Sequence, residues 1–180
     1  MKKLLLTLIL GILVVVSNAQ IKHLKGPRIG VTLLTPGWSA DIINEGFDYD
    51  ENSNYESGSS GSAIITQYGW QLESRFADGE KVVGIVEWIV LIGGMEKGLF
   101  LPSVSSLVGL RSDAGIEFAV GPNISLSGVS MVISTGYNFK FGNLNVPVNI
   151  AFVPSKSGAW GNDNSTGARI SLMAGFNLSK

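Results

Sequence analysis

The sequence predicts an all-β fold: an eight-stranded antiparallel, up-and-down transmembrane β-barrel with short periplasmic turns and longer outer loops. Three observations predict it. Apolar and polar residues alternate with period two in eight successive runs beyond Pro27. The connections between those runs alternate between short and long. Charge is scarce, at 15% of residues against roughly 25% in soluble domains, while glycine is abundant at 23 residues. The mean hydropathy of +0.29 agrees. A net charge of −1, four scattered arginines and no cysteine exclude a basic nucleic-acid binder and a disulfide-stapled module. The same composition excludes disorder and a coiled coil.

The first segment reads as an export signal. Lys2 and Lys3 precede an apolar run from Leu4 to Val16, and Ser17-Asn18-Ala19 supplies the small residues of a cleavage site before Gln20. The run is roughly 13 residues, short of the roughly 20 that a membrane helix needs. Residues 1–19 are therefore expected to be a signal peptide and 20–180 a single barrel domain. Without Lys2 and Lys3 the domain has 11 basic against 14 acidic residues, a net charge of −3.

The eight strands follow in order at 28–35, 64–76, 80–92, 100–111, 114–121, 129–140, 144–154 and 169–178. The second is the clearest. Ile64, Tyr68, Trp70, Leu72 and Phe76 fall on one face, and Gln67, Gly69, Gln71, Glu73 and Arg75 on the other. In the sixth, Val129, Met131, Ile133, Tyr137 and Phe139 oppose Ser134, Gly136, Asn138 and Lys140. Ala77-Asp78-Gly79-Glu80, Ser112-Asp113 and Gly142-Asn143 are hairpin turns. The other links span 36–62, 93–99, 121–127 and 155–168. An even strand count returns both termini to the periplasmic side.

If the apolar face meets lipid, the polar face fills the lumen. A soluble lipocalin-like carrier would reverse the two, but its water-facing side would then consist of Gly69, Gly136, Gly175 and Ser134 with few charges. The lipid-facing assignment gathers Arg28, Glu73, Arg75, Glu87, Arg111, Glu117, Lys140 and Arg169 in the lumen, with both signs present. Eight strands leave a bore that side chains just fill, so a plugged lumen is expected. Phe76, Tyr137, Phe139 and Phe176 near the periplasmic rim, and Phe100 and Phe152 near the outer rim, fit aromatic girdles; Trp70 and Trp88 lie nearer mid-depth. The run Val82 to Ile92 is apolar on both faces. Val83, Ile85, Ile89 and Leu91 then point inward around Glu87, as a packed apolar patch or as a small pocket.

These assignments point to an outer-membrane protein with a structural or surface-interaction role, its partners being membrane lipid and surface polysaccharide or another outer-membrane protein. The alternative is a barrel that binds lipid or a small apolar ligand. For ligand binding the candidates are the lumen residues Glu73, Arg75, Glu87, Arg111, Glu117 and Arg169. Hydrolytic chemistry has no base, because the one histidine, His23, sits in the N-terminal arm beside Lys22 and Lys25. No cofactor is expected and no nucleic acid. The link 36–62 is read as a solvated acidic loop: it carries Asp41, Glu45, Asp48, Asp50, Glu51 and Glu56 and no basic residue. Asp48, Asp50 and Asn52 have the first spacing of a calcium loop, but Ser53 replaces its glycine and no glutamate follows at position twelve.

The runs "GPRIGVTLLTPG", "ITQYGWQLESRF", "IVLIGGMEKGLFLPS", "EFAVGPNISLSG" and "VPVNIAFVPSKSG", and then "ARISLMAGFN" after a polar "AWGNDNSTG", carry a resemblance. They resemble a family of small exported proteins from Bacteroidetes-type bacteria, described as hypothetical or outer-membrane β-barrel proteins. The resemblance covers roughly 26–178 outside the acidic loop. It implies the barrel and its location, and brings no activity or catalytic residue with it.

Overall fold

The computed structural model describes residues 23–46, 60–157 and 164–178. The expected signal peptide over 1–19 and the trio Asp48, Asp50 and Asn52 lie outside the described residues.

Eight strands close into one barrel. They are β1 (His23–Leu34), β2 (Ala63–Asp78), β3 (Val82–Gly93), β4 (Leu101–Ser112), β5 (Ile116–Ser125), β6 (Gly128–Phe141), β7 (Leu144–Val153) and β8 (Arg169–Gly175, resuming at Asn177–Leu178). Each pairs antiparallel with its sequence neighbour, and β1 closes on β8 from Arg28↔Gly175 to Leu34↔Arg169. Three tight connections, 79–81, 113–115 and 142–143, mark what we term the turn end. Links 35–62, 94–100, 126–127 and 154–168 mark the loop end.

Side-chain direction follows the expected alternation. Leu72, Trp70, Val108, Phe118, Met131 and Leu172 are exposed on the outside, while Gln71, Glu73, Leu107, Ala119, Val132 and Met173 are buried inside. Phe76 lies on the outside over Gly84, where an added Cβ would come within 2.7 Å of its ring. A bulge between Arg75 and Ala77 bends β2 at that point.

Four expectations change. The link 121–127 is not a loop: β5 runs on to Ser125, and the connection is only Leu126-Ser127, followed by Gly128 at φ 96. Pro122 continues the strand with its ring outward, and the β4–β5 ladder skips Ser106 and Leu107, so no lost N–H is needed there. Strand β1 likewise starts before Gly26-Pro27, which places His23 in the sheet, with Nδ1 2.9 Å from Ser74 Oγ. The acidic link 36–62 is not wholly a solvated loop. Helix α1 (Trp38–Glu45) buries Ala40 and Ile43 against Leu34, Ala63 and Ile65 at the loop end. Asp41, 0% exposed, accepts hydrogen bonds from the backbone N–H and hydroxyl of Ser60 at 3.2 and 2.5 Å, which staples the helix to the return of the chain. Finally, Lys140 is exposed at the turn end and stays out of the lumen charges.

A short 3-10 turn, Met95–Lys97, folds against β2. Glu96 accepts hydrogen bonds from Thr66 N–H at 2.7 Å and Thr66 Oγ1 at 2.5 Å. Desolvation works to raise its pKa, but those bonds and the nearby Lys97 outweigh it, and the carboxyl sits below its ordinary range.

Candidate functional site

The lumen has two unlike halves. Toward the turn end it is filled by charge. Arg111 of β4 donates Nη1 and Nη2 to the two oxygens of Glu73 at 2.6 and 2.5 Å, and Nε to Glu117 Oε1 at 2.5 Å. Asn149 Nδ2 donates to the other oxygen of Glu117 at 3.2 Å. Arg111 is 2% exposed, and Glu73 and Glu117 are as deeply buried. A fork of this kind suits a planar guanidinium, whose donors match a carboxylate two by two.

A second chain of bonds lies beside the first. Arg28 Nε donates to Gln71 Oε1, and Gln71 Nε2 donates to Glu87 Oε1 at 2.5 Å. Glycines make the room. Arg28 stands in register with Gly69 on one neighbour and Gly175 on the other. A Cβ at Gly175 would come within 2.1 Å of Arg28 Nη1. Nη1 and Nη2 of Arg28, buried with the rest of the side chain, have no acceptor among the described residues.

Toward the loop end the lumen holds a cavity of about 80 Å³. Ile89, Leu91, Leu107, Val132 and Val153 give it an apolar wall, and polar side chains share the lining, among them Gln67, Gln71, Ser103, Asn123 and Asn149. Arg28 and Glu87 line it, and so does Arg169. A second cavity of about 70 Å³, bounded by Trp38, Ile42 and Ile43 of α1, shares Thr32, Gln67, Ser103 and Arg169 with the first. Arg169 therefore stands where the two adjoin. Its Nη1 donates to Ser125 Oγ and its Nη2 to Asn123 Oδ1, both at 3.1 Å.

The six candidates from the sequence thus separate. Glu73, Arg111 and Glu117 form one closed cluster, joined by Asn149. Glu87 and Arg169 face the cavity. Arg75 joins neither: it is half-buried at the turn end, with Nη1 4.0 Å from Asp78. The apolar run of β3 lines a pocket through Ile89 and Leu91, whereas Ile85 is fully packed. Sequence reasoning placed Arg28 in the lumen but not among the binding candidates, and it passed over Gln71, Asn123 and Ser125. Position on the inward face was the available signal for all four. Their partners depend on stagger between strands, which no single strand records.

No family model and no curated protein matches the chain. Among solved structures, similarity is found to Ail, the attachment invasion locus protein of Yersinia pestis, in complex with the heparin analogue sucrose octasulfate. The identity is 10% and the TM-score 0.40, over 87% of this chain and 99% of that one. The barrel assignment rests on the strand pairing alone.

Proposed function

We propose that this chain is an integral outer-membrane β-barrel of a Gram-negative bacterium, delivered by the signal peptide at 1–19, with a structural or surface-interaction role and no conducting pore. We also place it with the Bacteroidetes-type exported barrels that its sequence resembles. One observation carries the reading: an apolar belt runs around the outer wall. Ile29, Trp70, Val90, Val108, Phe118, Ile133 and Leu172, one from each of seven strands, are all exposed, and Ile150 and Phe152 extend the belt over β7. The exposed acidic and basic residues of the described strands, His23, Lys25, Asp78 and Lys140, lie toward the turn end. From Ile116 to Ile124 the belt covers about 27 Å of strand, or about 21 Å after a tilt of about 40°. That approaches the apolar band of a membrane barrel, and a soluble monomer does not expose a patch of this extent. Phe76, Tyr137, Phe139 and Phe176 at the turn end then mark the periplasmic interface, and Phe100 and Phe152 the outer one.

The charge cluster at the turn end supports a closed lumen. With α1 and the acidic segment at the other end, the surface offered to polysaccharide or to another outer-membrane protein is the loop end. Fractionation tests the location: the protein should remain with outer membranes through a carbonate wash and run as a heat-modifiable band. Release into the soluble fraction overturns the reading. A second reading, a ligand-holding barrel, is supported by the cavity beneath α1.

A further inference from the structure

The lumen charges do not all find a partner of opposite sign. Arg111 is neutralised by two glutamates. Arg169 is not: its guanidinium is held by a serine hydroxyl and an asparagine amide, and among the described residues no carboxylate stands within ion-pair distance of it. Asn123 is itself fixed, donating Nδ2 to Ser105 Oγ at 3.0 Å, so the acceptor side of this clamp is neutral and rigid. Arg169 is half-buried, and a partly desolvated cation held by neutral acceptors alone gains from a mobile anion. At the floor of the same cavity, Nη1 and Nη2 of Arg28, a residue only 4% exposed, have no acceptor among the described residues. Apolar walls lie between these two groups.

We propose that the loop-end half of the lumen is a binding site for a short-chain carboxylate. The carboxylate takes the forked donors of Arg169 at the junction of the two cavities. The chain lies against Ile89, Leu91, Leu107, Val132 and Val153, and its far end approaches Arg28. A cavity of about 80 Å³ accepts roughly five to eight water-sized groups, which sets the ligand near the length of butyrate to hexanoate. A second oxygen at the far end, as in a dicarboxylate of that length, reaches Nη1 or Nη2 of Arg28 only if that guanidinium shifts, because both atoms are closed off in this structure. Glu87 on the same floor, tied to Arg28 through Gln71, disfavours a ligand that is negative along its whole length.

This inference rests on the ligand-holding reading and gives it a chemical class; membrane location does not enter it. The test is calorimetric titration of the full-length refolded barrel in zwitterionic detergent with hexanoate, adipate, hexanol and hexylamine. Saturable binding of hexanoate or adipate, with hexanol and hexylamine at least about tenfold weaker, is expected. Arg169→Gln should weaken the carboxylate about tenfold or more. Ala151→Leu, which fills the cavity wall without touching a charge, should do the same, and heat-modifiability confirms that each variant is folded. Arg28→Gln should penalise adipate more than hexanoate. Binding of hexanol equal to that of the carboxylates would overturn the inference and leave the ligand-holding reading in place. Absence of binding by all four would overturn both. Carboxylate binding unchanged in Arg169→Gln would overturn the inference as well.

Discussion

Replacing Arg111 with methionine removes one cation and strands two carboxylates. Glu73 and Glu117 are 1% and 2% exposed, and three of their hydrogen bonds come from this one guanidinium. Breaking a single buried pair typically costs about 3–5 kcal/mol, because the survivor is left charged and unsolvated. Here two survivors remain, and only Glu117 keeps another donor, Asn149. The upper end of that range, about 5 kcal/mol, is the expected loss. With a urea slope of about 2 kcal/mol/M, the unfolding midpoint should fall by about 2.5 M. Trp70 and Trp88 face outward, so their emission in lipid vesicles reports loss of the barrel directly. The double variant Arg111→Met/Glu117→Gln discriminates mechanism: discharging one stranded carboxylate should return about half of the loss. A loss below about 1 kcal/mol, or a double variant no more stable than the single, would refute the reasoning.

Other perturbations test other parts of the fold. Gly69→Ala places a Cβ 1.9 Å from Val90 O, so a destabilisation of about 1–3 kcal/mol is expected in the same urea assay. Val108→Arg, on the outer belt, should cost about 2–4 kcal/mol of insertion free energy in lipid; a value near zero would place that position away from the hydrocarbon core. Glu96 sets a pH dependence. Because its folded carboxyl is depressed, the stability it lends the 95–97 turn is present above its unfolded value and is lost as pH falls through the folded one. Proteolysis at Lys97 should accelerate on acidification, and Thr66→Val should move that onset to higher pH.

Much of the barrel was legible because period two is a local signal. Each strand records its own two faces, and Ile64 to Phe76 does so unaided. Boundaries failed where proline coincided with glycine. Gly26-Pro27 and Gly121-Pro122 read as stops, yet the sheet tolerates both where a ladder bond is not required. Helix α1 went unread because six acids over 36–62 dominated the segment, although Ala40 and Ile43 have the i, i+3 spacing of a buried stripe. Burial of Asp41 on that helix runs against composition and depends on Ser60, nineteen residues on. The charges were assigned to the lumen from alternation alone, but their pairing was not readable. Glu73 and Arg111 lie on strands separated by β3, and stagger across it decides whether they meet. The cavity depends on small inward residues such as Ser103, Ser105 and Ala151, which mark absent volume more than any chemical identity.

Among the described residues, Arg111 and its glutamates fill the turn end of the lumen, and the cavity at the other end adjoins the one beneath α1. A molecule that enters and leaves past α1 uses the same path both ways, so side chains along that path that do not touch the bound molecule slow both directions by the same factor. Widening that path would change how quickly the chamber follows the surrounding solution and leave unchanged how full it is at rest.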